Sequence, residues 1–151
     1  MTMDIQEISD RLEINNLLID YCSAVDAKTF ADFDRIFTAD ALIDYTALGG
    51  IRGSVAEIKE YLGRVMPHFG ATQHLIANSR VWLDGDTARA RTMCHNPMEI
   101  PLPGSGTQIA FYGLWYVDRL VRMPEGWRIA ERVEERSYDF NVPARFKSSD
   151  Q

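Results

Sequence analysis

Asp26 and His74 lie far apart in the sequence, yet together they carry the two side chains of a general-base pair. A carboxylate that bonds one imidazole nitrogen orients the ring and stabilises its charged form, so the other nitrogen is left to remove a proton. Each residue also has a structural interpretation, Asp26 as the end of a helix and His74 as a hydrogen-bonded strand residue. An acid is unfavourable at the C-terminal end of a helix, so we expect Asp26 to have another partner.

The elements that must position this pair follow from the spacing of apolar residues. Four elements are predicted before residue 70: a helix over residues 4–25, a short helix over 30–37, a strand over 41–45 and a helix over 54–66. The last helix begins at Ser54, whose hydroxyl can accept the amide of Glu57 while the glutamate reaches back, and it stops before Pro67. Asp26 therefore falls at the end of the first helix.

The rest of the chain has the pattern of strands separated by turns. Strands are predicted over residues 72–83, 87–99, 107–121 and 126–137. Asp84-Gly85-Asp86 and Pro124-Glu125-Gly126 are typical of hairpin turns. Helices followed by an antiparallel meander predict an α+β domain. We expect a curved antiparallel sheet whose concave face is closed by the amino-terminal helices, which makes a cone with an apolar interior.

The composition restricts the classes of function. The 151 residues are enough for one domain, and a formal charge of −6 argues against a nucleic-acid partner. No apolar run is long enough to span a membrane, and the first residues lack the segments of a signal peptide, so we expect a cytoplasmic protein. Cys22 and Cys94 do not form a Cys-x-x-Cys pattern, and we expect two buried thiols rather than a disulfide.

Four stretches of the chain together resemble the SnoaL-like branch of the nuclear transport factor 2-like superfamily. They are Tyr21-x-x-x-x-Asp26, Phe33-x-x-x-Phe37-x-x-Asp40-Ala41-x-x-Asp44-Tyr45, Gln73-His74-x-x-x-Asn78-x-x-Val81-x-x-Asp84-Gly85-Asp86 and Tyr116-x-Asp118-x-Leu120-x-Arg122-x-x-x-Gly126-Trp127-Arg128-Ile129. The resemblance implies a cone-shaped α+β barrel formed by a single domain over residues 1–151. This fold hosts many chemistries, so the function must be argued from the site.

Around its polar residues the chain is similar to scytalone dehydratase and hexachlorocyclohexane dehydrochlorinase. The resemblance implies that Asp26 and His74 remove a proton while a leaving group is expelled. It also implies that Tyr45 acts on a substrate carbonyl, directly or through water, and so stabilises an enolate as it forms. The alternative for Tyr45 is a core aromatic residue whose hydroxyl has a partner. The serine and asparagine of scytalone dehydratase are missing from residues 109–113, and the arginine of the dehydrochlorinase has no clear counterpart.

His95 is the fourth candidate catalytic residue, because scytalone dehydratase has a second histidine in this region. Alternation along the strand, however, puts His95 on the same face as Arg89 and Arg91, and arginines usually mark the solvent side. A bulge ahead of Pro97 would turn His95 inward. Both orientations stay open at this stage.

Four other residues are candidates for substrate binding. Tyr21 precedes the end of the first helix by about one turn and can reach the cavity. Asn78 is either a ligand of the substrate or a strand residue of the scaffold, and Trp115 either lines the cavity or packs in the sheet or at an oligomer contact. Glu131 alternates with Ile129, which directs it inward unless it is a solvated surface residue.

These residues predict a cofactor-independent lyase, a dehydratase acting on a small cyclic or aromatic-polyketide-like molecule in an apolar pocket. The alternatives are an isomerase or cyclase that uses the same groups, a ligand-binding protein, and a scaffold like the small subunit of ring-hydroxylating dioxygenases. We expect no metal and no cofactor, because ligand spacing and phosphate-binding loops are missing from the sequence. We also expect a homodimer or homotrimer formed through the outer face of the sheet.

Overall fold

The computed structural model describes residues 2–146, in which helices come first and long strands follow. The helices are α1 (Ile5–Ala27), α2 (Phe33–Ile36) and α3 (Val55–Val65). The strands are β1 (Phe37–Asp44), β2 (Arg52–Ser54), β3 (Leu75–Asp84), β4 (Thr87–Pro101), β5 (Thr107–Met123) and β6 (Gly126–Phe140). Short 3₁₀ turns lie at Phe30–Asp32, Thr46–Leu48, Met66–His68 and Ala144–Phe146. The predicted α+β class is confirmed.

All six strands form one curved sheet, in the order β2-β1-β6-β5-β4-β3. β3 to β6 form the predicted antiparallel meander, joined by hairpins. β1 pairs with β6 in parallel, and the three-residue β2 extends that edge. The sequence pattern gave no sign of either pairing, because a parallel partner is set by tertiary contacts rather than by a local turn. The sheet is not a closed barrel, since β2 and β3 are its edges.

Helix α1 crosses the concave side of the sheet and is fixed there by a buried carboxylate. Asp10 is 4% exposed and accepts hydrogen bonds from Arg122 at 2.6 and 2.7 Å and from Trp127 Nε1 at 3.1 Å. The hydrogen bond from Arg122 lowers the pKa of Asp10 to about 2. Beyond this anchor, Ile14 and Leu18 are buried in the core. The far end of α1 is thereby held over the cavity described below.

Helix α3 begins at the predicted capping box. Ser54 Oγ accepts the Glu57 amide at 3.3 Å, and Glu57 accepts the Ser54 amide at 2.8 Å. These bonds satisfy amide groups that the first turn of a helix leaves unpaired. Pro67 follows the end of the helix at Val65, as expected. Within residues 2–146, no helix combines the length and apolarity needed to cross a bilayer.

β-bulges change which side chains face inward. Where β5 pairs with β6, Arg119 lies opposite Glu131 and Leu120 opposite Ile129, so Ala130 is an extra residue in β6. A bulge puts two consecutive residues opposite one and shifts the alternation that follows. Another bulge lies in β3, where the register with β4 shifts between Ala77 and Arg80.

Candidate active site

The structure brings Asp26 and His74 into direct contact. His74 Nδ1 and Asp26 Oδ1 are 2.6 Å apart, and the His74 backbone amide donates to Asp26 Oδ2 at 2.9 Å. Thr72 Oγ1 donates to Asp26 Oδ1 at 2.7 Å. One carboxylate therefore binds both the ring and the backbone of the same histidine. These are the further partners expected for an acid at the end of α1.

The surroundings of the pair favour an ionised carboxylate. The Asp26 side chain is 27% exposed and the His74 side chain 8%. Burial acts to raise the pKa of Asp26, but the hydrogen bonds from His74 and Thr72 outweigh it, and this pKa lies below its ordinary value. Asp26 therefore accepts from Nδ1 in the neutral histidine, which leaves the lone pair on Nε2.

His74 lines a cavity of about 320 Å³ between the sheet, α1 and α3. Its apolar wall includes Leu62 and Met66, and Phe69 packs on Phe146 with ring centroids 5.1 Å apart. A cavity of this size is at the small end of those that bind drug-sized ligands. The site is therefore an apolar pocket for a small molecule, with polar groups at a few positions.

Tyr45 and Tyr21 stand together at the wall of this cavity. Their hydroxyl oxygens are 2.5 Å apart, and both side chains are buried. Burial raises the pKa of both tyrosines, so both hydroxyls keep their protons at neutral pH. One of the two protons lies in the shared hydrogen bond. The other is free to be donated to a ligand oxygen.

Asn96 and Glu134 are polar residues of the cavity that were not among the predicted ones. Asn96 is 7% exposed, and its Oδ1 is buried with no hydrogen-bond partner among residues 2–146. Glu134 lies on β6 and also lines the cavity. Alternation with the buried Thr92 and Cys94 was a usable signal for Asn96. Glu134 had no such signal, because the bulge that turns it inward has no marker in the sequence.

A buried ion pair supports this wall from behind. Arg132 is fully buried and donates to Asp118 through two bonds of 2.7 Å each. Its guanidinium also lies 4.1 Å from the ring centroids of Tyr21 and Tyr116. Sequence reasoning missed Arg132 for the same reason as Glu134. Its contacts hold Tyr21 in place beside Tyr45.

The structure places His95, the fourth candidate catalytic residue, outside the cavity. The pairing of β4 with β5 runs without interruption from Thr87 to Pro101, so there is no bulge ahead of Pro97. His95 therefore stays on the outer face, where its Nδ1 lies 2.9 Å from the Tyr138 hydroxyl and its ring packs against Phe111. Asn96 takes the inward position instead.

Three of the four predicted substrate-binding residues also lie outside the cavity, and only Tyr21 lines it. Asn78 is exposed at the β3 bulge, with a φ of 48°. Trp115 lies on the outer face, where the Arg91 guanidinium stacks 3.8 Å from its ring centroid. Glu131 is turned outward by the extra residue Ala130 and lies 3.7 Å from Arg119. In each case the strand alternation, or the bulge that interrupts it, decides the orientation.

Other parts of the surface offer less chemistry. A larger depression of about 610 Å³ runs between α1 and the β5–β6 hairpin, but none of the predicted site residues lines it. Among residues 2–146, no three His, Cys, Asp or Glu side chains are grouped so as to hold a metal ion. Chemistry-bearing groups therefore converge at the smaller cavity, which contains His74.

Comparison with known proteins agrees with this architecture. Residues 6–133 match the SnoaL-like domain family, and the chain belongs to that family. An uncharacterised protein of Mycobacterium tuberculosis is 50% identical over 136 residues, which cover 90% of this chain and 91% of the relative.

Solved structures share the fold. A protein from Kribbella flavida has a TM-score of 0.80 at 27% identity, covering 88% of this chain and 94% of that one. A hexachlorocyclohexane dehydrochlorinase from Novosphingobium barchaimii has a TM-score of 0.80 at 16% identity, covering 94% and 96%. A proposed scytalone dehydratase from Novosphingobium aromaticivorans has a TM-score of 0.78 at 15% identity, covering 91% of each chain. At such low identities the last two likenesses show the fold alone.

Proposed function

We propose that this protein is a cofactor-independent lyase of the dehydratase type, which removes water from a small, largely apolar molecule with a ring. The observation that carries the proposal is the contact between Asp26 and His74 at the wall of a largely apolar cavity. Nδ1 is occupied by the carboxylate, so Nε2 is the nitrogen available to a substrate. No hydrogen bond to Nε2 is made within residues 2–146.

In this mechanism His74 is the general base. Nε2 takes a proton from the carbon next to a carbonyl group, and Asp26 holds the tautomer and stabilises the imidazolium that results. The tyrosine pair donates its free hydroxyl proton to the carbonyl oxygen, where negative charge develops. Tyr45 and Tyr21 stay neutral because burial raises the pKa of each. A positioned base of this kind is worth about 10²–10⁴ in rate.

The proposal extends to the oligomeric state of the protein and to its cellular compartment. Ile109, Tyr138 and Phe140 are 50%, 48% and 62% exposed on the sheet, which favours a homodimer or homotrimer formed through its outer face. Sedimentation at micromolar concentration tests this, and a monomer would contradict it. Cys22 and Cys94 are free and buried, as befits a reducing cytoplasm.

The base is tested with 5-nitrobenzisoxazole, a small bicyclic probe. The probe loses one C–H proton as its N–O bond breaks, and it releases a coloured phenolate without help from an acid. We expect the wild type to accelerate this reaction, and His74→Ala and Asp26→Asn to lower the acceleration by about 10²–10⁴. Combining the two changes should cost little more than the worse one, because the pair acts as a unit.

The control is His68→Ala, a change of an exposed histidine outside the cavity, which should keep wild-type turnover. Activity of the His74 variant within about threefold of wild type would refute the base. A wild-type rate no higher than that of buffer would refute the proposed function and favour a ligand-binding protein.

A further inference from the structure

Glu134 is a half-buried acid with no hydrogen-bond or ion-pair partner in the part of the chain that the structure describes. It lies on β6, its side chain lines the same cavity as His74, and no hydrogen bond or ion pair within residues 2–146 reaches its carboxyl group. Carboxylates in protein interiors are normally paired or hydrogen-bonded. An unpaired one at the wall of a reactive cavity is a candidate for proton transfer.

Burial, more than the surrounding charges, explains why Glu134 keeps its proton. Arg132, on the same strand, acts to lower the pKa of Glu134, but its guanidinium is already bound to Asp118 by two hydrogen bonds. Asp44 on β1 is a second acid, and it opposes ionisation. The other titratable groups that interact with Glu134 are neutral ones on α1, on α3, directly after β1, on β4 and on β5: Tyr21, Tyr61, Tyr45, Cys94 and Tyr116. Burial raises the pKa of Glu134 to about 8.

The register of the sheet puts Glu134 beside the tyrosine pair. Asp44, the last residue of β1, pairs with Val133 of β6 in parallel, so Tyr45, which directly follows β1, comes next to Glu134 of β6. Neighbouring strands are about 4.8 Å apart. Two neutral oxygen acids, a phenol and a carboxylic acid, therefore stand side by side in the cavity that His74 lines from another strand.

We propose that Glu134 is the general acid of the reaction and that the substrate is a β-hydroxy carbonyl compound. This inference rests on the proposed function. In such a compound the two oxygens are separated by three carbons, so adjacent donors can serve both of them. Tyr45 bonds the carbonyl oxygen, Glu134 bonds the β-hydroxyl group, and His74 acts on the carbon between.

The step balances without any further reagent. His74 Nε2 takes the proton from the α-carbon, and the electrons of that C–H bond form the carbon–carbon double bond. The bond to the β-oxygen breaks, and the departing hydroxyl takes the proton of Glu134 and leaves as water. His74 is then an imidazolium and Glu134 a carboxylate. The proton returns from the imidazolium to the carboxylate through solvent once the products have left.

The experiment compares two probes on the same variants. One is 5-nitrobenzisoxazole, which needs a base alone, and the other is 4-hydroxy-4-phenylbutan-2-one, which loses water to give a strongly absorbing enone. Glu134→Gln keeps the shape of the side chain but cannot give up a proton. We expect it to slow dehydration by about 100-fold, a loss at least about thirtyfold larger than the loss with 5-nitrobenzisoxazole. The matched control is Glu135→Gln, the next residue on β6, which faces outward and pairs with Arg91.

A second measurement does not depend on turnover. The infrared difference between wild type and Glu134→Gln should contain a carboxylic acid band at pH 6 that is replaced by a carboxylate band at pH 10. Equal losses with the two probes, or a carboxylate band already at pH 6, would overturn the role of Glu134 and leave the His74 base standing. Failure of the wild type with both probes would overturn the base and the acid together.

Discussion

The two faces of strands β4 to β6 carry similar polar residues in opposite situations. On the outer face Arg91 pairs with Glu135 at 3.0 Å, and His95 lies 2.9 Å from the Tyr138 hydroxyl. On the inner face Asn96 has an unpaired Oδ1, and the Glu134 carboxyl has no partner within residues 2–146. Outer polar groups are satisfied by one another and by water, whereas these inner groups can be satisfied only by what enters the cavity. On these strands, polar groups without hydrogen-bond partners indicate the site better than a high number of ionisable residues does.

The strongest test of this difference between the two faces is to remove one arginine from each face. Arg132→Met leaves Asp118 buried without its cation and removes the guanidinium between two tyrosine rings. We expect the free energy of unfolding to fall by about 3–5 kcal/mol. Arg119→Met breaks an exposed pair with Glu131, and we expect a fall of about 0–1 kcal/mol. Equilibrium unfolding in urea measures both.

The control for this prediction is the double change Arg132→Met with Asp118→Leu. Removing both charges should recover part of the loss, because the damage comes from the carboxylate left alone. Equal losses for Arg132→Met and Arg119→Met would mean that the two faces do not differ as described.

A pH series sharpens the contrast at Glu134. The folded protein holds this proton up to about pH 8, whereas the unfolded chain loses it near the ordinary value of 4.5. The contribution of Glu134 to stability is therefore complete below about pH 4.5 and is lost as the pH rises through about 8. As the pH rises from about 4.5 through about 8, the thermal midpoint of Glu134→Gln should therefore rise relative to that of the wild type.

Thermal scans of Glu135→Gln give the matched control, and its difference from wild type should stay level with pH, since that carboxylate is exposed on the outer face. A Glu134→Gln difference that stays level as well would show that Glu134 ionises normally in the folded protein.

The smallest expected effect on stability is at Asn96. Replacing Asn96 by Leu removes a buried amide oxygen that has no partner, so the free energy of unfolding should stay level or rise by about 1 kcal/mol. Turnover of the β-hydroxy ketone should nevertheless fall by about tenfold, because the cavity loses a polar contact. His95→Leu, one position away on the outer face, should keep its turnover. Asn96→Leu with full activity would exclude this amide from the site.

Local patterns predicted most of the fold. The capping box at Ser54 set the start of α3, and turn signals at residues 84–86 and 124–126 set two hairpins. Strand alternation also favoured an outward His95 over an inward one, and the unbroken register of β4 with β5 agrees with it. Each of these features depends on neighbours in sequence, which a pattern can record.

Features set by tertiary packing were not predictable. The parallel partner of β1 comes from the far end of the chain, and no local sequence signal near Phe37 or Asp44 indicates this pairing. The extra residue Ala130 reversed the expected orientation of Glu131 and hid Arg132 and Glu134. The contact between Asp26 and His74 was suggested by residue type and resemblance, and its geometry depends on how α1 lies on the sheet.

The bulge at Ala130 works like a shift of reading frame within a strand. Without the bulge, the same residues would alternate regularly from Ile129, and every face downstream would be exchanged, with Val133 turned toward the cavity and Glu134 toward solvent. A relative that lacks one residue here would pair regularly and keep the acid inward, whereas a relative of equal length with no bulge would keep the same letters and lose the acid. The bulge is as much a part of this site as the glutamate itself.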